Sequence, residues 1–121
     1  MPRDTNAHGT IFGGFILSLV DQAGAIEAHR AGGVRVVTVA MDEVEFKQPV
    51  HVGDLVSCYA TVERIGRTSI TVRVRVVAER PFGASVRVDV TEAIVVYVNV
   101  DEHGVPHPIS SASASAAEPT G

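Results

Sequence analysis

The chain has 121 residues, a formal net charge of −4, a single Cys and no Trp. That length gives one domain with a modest core and excludes a large cleft between two lobes of its own, so any sizeable site calls for an interface shared between copies. An acidic balance with scattered Lys and Arg excludes nucleic acid as the main partner, and one Cys excludes an internal disulfide. Arg3 before IFGGFILSLV and Ala-Gly-Ala imitates a secretory signal, but Asp4 and Asp21 interrupt it. No stretch reaches the ~18 apolar residues of a spanning helix. A soluble cytoplasmic protein with no membrane partner is expected.

In chain order, a helix is expected over residues 10–30, stopped by Ala31-Gly32-Gly33 because glycine readily takes left-handed backbone. Phe15, Ile16, Leu17, Leu19, Val20, Ala23 and Ile26 cover much of its circumference, the pattern of a buried helix. Everything after it reads as strand. In residues 35–46, Val37, Val39 and Met41 alternate before the apolar phase moves to Val44 and Phe46, which predicts a bulge or a strand covered on both faces. A turn over 49–54 leads to Val56, Cys58, Ala60 and Val62, with Ser57, Tyr59, Thr61 and Glu63 facing the other way. Cys58 on the apolar side reads as core packing. After Gly66, Ile70, Val72, Val74 and Val76 alternate with Thr71, Arg73 and Arg75; a turn at Pro81-Phe82-Gly83 precedes a last strand over 86–100. The spacing is that of an antiparallel meander, and the fold class is α+β, with one long central helix wrapped by a curved antiparallel sheet. Residues 110–121, SSASASAAEPTG, have nothing large to bury and read as a disordered tail after a domain over 1–109.

The densest concentration of chemistry lies in Asn6-Ala7-His8-Gly9-Thr10-Ile11-Phe12-Gly13-Gly14 and the apolar run that follows, which holds one carboxylate, Asp21. A carboxylate among apolar residues is costly unless paired, and such groups gather where chemistry uses them. Asp21 equally fits a plain acceptor for a strand Thr or Ser. Gly13-Gly14 exposes helix-start N–H groups able to hold an oxyanion, or serves close packing against a sheet. Gly14 and Asp21 are seven residues apart, about 10 Å along a helix axis, so they cannot both touch one carbonyl within a chain. A two-fold dimer would bring one from each subunit. Asn6 offers an amide for a water or carbonyl, or a cap. Gly66-Arg67-Thr68-Ser69 offers a cation and two hydroxyls for a phosphate or pantetheine, or is only a turn. His103 and His107 flank Gly104 and Pro106 and do not share a helical face, so no metal site is expected.

DTNAHGTIFGG, the Asp fifteen residues after Asn6, the segment RVVTVAMDEVEFKQPVHVGD and the turn GRTSI stand here in a combination and order that resembles the hotdog-fold acyl-CoA thioesterases of the bacterial YciA type and their eukaryotic cytosolic relatives. The resemblance covers nearly all of residues 1–109. It implies a helix wrapped by a sheet, subunits paired so that two sheets join, and a trimer of such dimers. It implies Asn6 and Asp21 as catalytic residues supplied to one site by opposite protomers, Asp21 as the general base for a water or as a direct nucleophile, and Asn6 with the Gly14 N–H as oxyanion donors. Hydrolysis of acyl-CoA with no metal and no cofactor would follow, coenzyme A being part of the substrate. A non-catalytic acyl-CoA sensor is the alternative, though it has little use for a buried base; a dehydratase would want a histidine on the helix, and His29 lies at its far end.

Relatives carry an extra strand before the DTN segment, so this chain is expected either to start late or to be a shortened domain. Residues upstream of Met1 in the natural reading frame, where they exist, are expected to show an apolar alternating segment; sequencing that finds none would remove the first possibility.

Overall fold

The computed structural model describes residues 13–80 and 86–109. It contains helix α1 (Gly13–Arg30) and strands β1 (Val36–Phe46), β2 (Leu55–Ile65), β3 (Ser69–Arg80) and β4 (Val86–Asn99). The expected helix start over 10–12, the turn at 81–83 and the tail from 110 lie outside the described residues.

The helix ends as its glycines require. Gly32 takes a φ of 121°, the Gly32 N–H donates to the His29 carbonyl, and the Gly33 N–H reaches back to Ala28 at 3.1 Å. This pairing of a five-to-two with a six-to-one bond is the Schellman closure, which satisfies carbonyls that a helix end leaves orphaned. A Cβ on Gly33 would stand 2.5 Å from Val36 Cγ1, so the chain turns into β1 through a space that admits no side chain.

All four strands are antiparallel in the order β1-β4-β3-β2. The expected meander holds for β2 to β4. β1 departs from it and joins the far side against β4, because residues 47–54 cross the end of the sheet and carry the chain from one edge to the other. That crossing is anchored by the Lys47 N–H on the Val90 carbonyl at 2.8 Å and by Arg80, which donates to the Pro49 carbonyl at 3.0 Å, while Val50 is buried beneath it.

The inward face of β3 is the expected one: Ile70, Val72, Val74 and Val76 are fully buried, with Ala93, Val95 and Tyr97 of β4 beside them. Val56, Cys58, Ala60 and Val62 of β2 pack against this core as read from their period of two. Burial raises the Cys58 thiol pKa, which suits packing and not nucleophilic chemistry. The opposite face is polar. There Arg73 bridges strands, donating to Glu63 at 2.7 Å and to Glu92 at 3.0 Å.

Two further expectations are corrected. The helix is not buried all round: Ile16, Val20, Gly24 and Ala28 form one buried stripe, whereas Phe15 is 39% and Ile26 65% exposed. A four-stranded sheet covers one side of a helix, and the apolar residues on its other side remain open in the single chain. In β1, Val37 and Val39 do not face the core. Its register against β4 shifts between Thr38 and Ala40 and again between Asp42 and Glu45, so Val36, Thr38 and Met41 share the partners' inward face and Val39 is the extra residue. The predicted bulge is present, but twice, and Glu43 at the second takes a φ of 51°.

Because Gly32 occupies left-handed backbone, Gly32→Ala is expected to lower unfolding free energy by about 1 kcal/mol or more. Urea unfolding of the purified variant measures this; an unchanged midpoint would deny the strain.

Candidate active site

Asp21 sits in the third turn of α1 on the helix flank that meets β1 and β4. Its side chain is half-buried rather than buried, since Thr38 at the sheet edge leaves it partly open. The Thr38 hydroxyl donates to Asp21 Oδ1 at 2.6 Å. Tyr97, directly opposite Thr38 in the β1–β4 register, places its hydroxyl 2.8 Å from the Asp21 main-chain carbonyl and 3.2 Å from the same Oδ1. Asp21 thus accepts from a strand Thr, as one of the two sequence readings required, and from a Tyr that no local pattern announced. Both contacts fall on Oδ1. Among the described residues Oδ2 has no hydrogen-bond partner and is the oxygen free to accept from a water or a substrate group.

Tyr97 is fully buried, and a Cβ on Gly24 would lie 2.2 Å from its hydroxyl. Burial first, and the neighbouring Asp21 carboxylate second, push the phenol pKa well above its ordinary value. Tyr97 therefore stays protonated, a hydrogen-bond donor throughout the physiological range.

Gly14 is exposed, and among the described residues a Cβ built on it would touch nothing within 4 Å, so none of their packing explains that glycine. Gly13 is different: its Cβ position is 3.3 Å from the Phe46 ring. The N–H groups of both belong to the first helical turn and have no partner within the helix. Beside them opens a groove of about 360 Å³ lined by Gly13, Ile16, Phe46, Pro49, Val50 and Val90.

The turn Gly66-Arg67-Thr68-Ser69 lies at the opposite end of the sheet. Gly66 N–H donates to the Ser69 carbonyl at 2.8 Å, while the Thr68 and Arg67 carbonyls accept from the N–H groups of Asn99 and Ile109. The turn is thereby held rigid with the Arg67 side chain exposed. Asn99, buried, extends the same clamp by accepting from the Val34 and Arg35 N–H groups and donating to the His107 carbonyl. Within one chain, then, Gly14, Asp21 and the Arg67 turn are strung along the helix and are not gathered into one cluster; Asn6 lies outside the described residues. Thr38 and Tyr97 were missed because each reads as an ordinary strand position. The signal that could have exposed Tyr97 is Gly24, a glycine inside a helix with no turn to serve.

A raised folded-state pKa of Tyr97 has a defined consequence. As pH climbs past about 10 the unfolded chain releases this proton while the folded chain keeps it, so stability present below that pH is lost above it. Thermal melts from about pH 9 to about pH 11 should therefore fall more steeply for the wild type than for Tyr97→Phe; parallel curves would contradict the assignment.

Residues 8–81 match the model of the Thioesterase superfamily. The chain is 46% identical over 113 residues to the acyl-CoA thioester hydrolase YciA of Salmonella typhimurium, covering 90% of this chain and 84% of that protein. It is 48% identical to a hexameric hotdog fold thioesterase of Campylobacter jejuni, with a TM-score of 0.87 over 96% of this chain and 89% of that one. An acyl-CoA hydrolase of Staphylococcus aureus is 30% identical with a TM-score of 0.79, covering 90% of this chain and about two-thirds of its own. That enzyme was solved both as an aspartate-to-alanine and as a threonine-to-alanine variant, at positions seventeen apart. Asp21 and Thr38 are also seventeen apart.

Proposed function

The chain belongs to the thioesterase superfamily, and from that membership we propose that it hydrolyses acyl-CoA thioesters to a carboxylic acid and coenzyme A, with Asp21 as the general base. The observation that carries the assignment is the Asp21–Thr38 pair: a helix carboxylate bonded through one oxygen, with no partner on the other among the described residues, at the spacing of the two positions substituted in the Staphylococcus aureus enzyme.

Asp21 Oδ2 accepts a proton from water as the water oxygen bonds to the thioester carbonyl carbon. The carbonyl oxygen becomes an oxyanion and is held by the Gly14 N–H and the Asn6 amide. Collapse of this intermediate breaks the carbon–sulfur bond, and the departing thiolate takes the proton back from Asp21. A thiolate leaves readily, so no strong acid is needed and no metal or cofactor enters the scheme; coenzyme A arrives as part of the substrate. The role of Thr38 is to hold Oδ1 so that Oδ2 faces the water.

Gly14 and Asp21 of one chain lie too far apart along the helix for one carbonyl, which supports a site shared by two protomers. Asn6 and Gly14 of one protomer would face Asp21 of its partner. The exposed Val37 and Val39 on edge strand β1 and the open Phe15 on the helix supply apolar surface for such a pairing. A trimer of these dimers is proposed from the hexameric Campylobacter jejuni relative. The apolar groove beside Gly13 suits the acyl chain, and Gly66, Arg67, Thr68 and Ser69 are proposed to contact the pantetheine arm or phosphates. Action in the cytoplasm is part of the same proposal; among the described residues no helix is long and apolar enough to cross a membrane.

Thiol release from a panel of acyl-CoAs, short to long, tests the assignment. Asp21→Ala should lower kcat by about 10²-fold or more, and Thr38→Ala by about tenfold. Gly14→Ala, with nothing among the described residues within 4 Å of the added Cβ, should leave stability within about 0.5 kcal/mol yet reduce turnover. A folded, assembled wild type that binds acyl-CoA and releases no thiol would replace the hydrolase by a sensor.

A further inference from the structure

We propose that Tyr97 is a positioning residue for the Asp21 base, and that Gly24 exists to admit its hydroxyl. The inference rests on the general-base reading of Asp21 and extends it to two residues with no contact to the reacting atoms.

A single phenolic proton lies between two acceptors of the same residue, the Asp21 carbonyl at 2.8 Å and Oδ1 at 3.2 Å. A donor that holds both the main chain and the side chain of one residue limits the rotation between them. Thr38 holds Oδ1 from the neighbouring strand at 2.6 Å, so the carboxylate is gripped from two directions and its other oxygen is aimed in one. Rotational freedom in a general base is expensive, since small displacements from the productive geometry cost large factors in rate.

The arrangement is built, not incidental. Tyr97 of β4 is 1% exposed, and its ring belongs to the core against Gly24 of α1. Its hydroxyl could satisfy a buried donor with the main-chain carbonyl alone, and any residue at position 24 other than glycine would close the space: an added Cβ lies 2.2 Å from the hydroxyl and 3.0 Å from the ring carbon bearing it. Glycine inside a helix costs roughly 1 kcal/mol relative to alanine. That cost is offset here by a hydroxyl reaching the helix one turn beyond Asp21.

The test uses the assembled protein and the acyl-CoA it turns over best. Tyr97→Phe keeps the ring and removes the donor; Gly24→Ala keeps the donor and displaces it. Each should lower kcat by about tenfold with KM within about twofold, while circular dichroism and gel filtration match the wild type. Tyr97→Phe at full kcat overturns the proposal, as does a fall in kcat matched by loss of fold or assembly. Asp21→Ala is measured alongside: if it is inactive while Tyr97→Phe is fully active, positioning fails and the hydrolase stands, whereas an active Asp21→Ala removes the general base itself and this proposal with it.

Discussion

The register between β1 and β4 is the constraint on which the site depends. Thr38 faces Tyr97 across that pair, and their two hydroxyls meet at one oxygen of Asp21. Side chains alternate between sheet faces, so a slip of one residue would turn Thr38 to the opposite face and leave the carboxylate without its shortest hydrogen bond. The bulge at Val39 then re-phases the strand, which lets Thr38 face the helix and Met41 also face inward. A bulge of this kind next to a functional side chain is a common way to re-aim one position without disturbing the rest of a strand.

The helix links that local geometry to the larger design. Eighteen residues from Gly13 to Arg30 run about 27 Å, with the open N–H groups at one end, the carboxylate midway and the rigid Arg67 turn beyond the other end. Gly13 packs on Phe46, Asp21 on Thr38, and Gly33 of the helix exit on Val36, so the helix and its exit meet β1 at three points. Under the proposed hydrolysis this spreads groups that one substrate would need in one place, and pairing two antiparallel copies would bring them together. The same pairing would cover apolar helix and strand surface that the single four-stranded sheet leaves open.

Three glycines of one helix and its exit illustrate how the same residue type answers different demands. Gly32 supplies left-handed backbone, Gly24 admits a phenol, and Gly14 has no side-chain neighbour among the described residues. Gly32 announces its role in the sequence as a helix stop, whereas Gly24 is distinguished only by what stands opposite its missing Cβ. The same holds for the hydroxyls: Thr38 sits among alternating valines, and Tyr97 in a long apolar strand, with nothing nearby in sequence to mark either.

Local and periodic features were legible in the chain itself. The helix end at Ala31-Gly32-Gly33, the inward sets on β2 and β3, the packing role of Cys58 and the oddity of Asp21 in an apolar run follow from short-range rules, because capping, alternation and the cost of a carboxylate among apolar residues act over a few positions. The partners of Asp21, the far-side placement of β1 and the one-sided burial of α1 were decided only in three dimensions. Each depends on which strand lies beside which: the Asp21–Tyr97 contact joins positions 76 residues apart. No period within one element encodes the register between two, and it is that register, set by how the whole sheet closes over the helix, that turns a conspicuous aspartate into an oriented one.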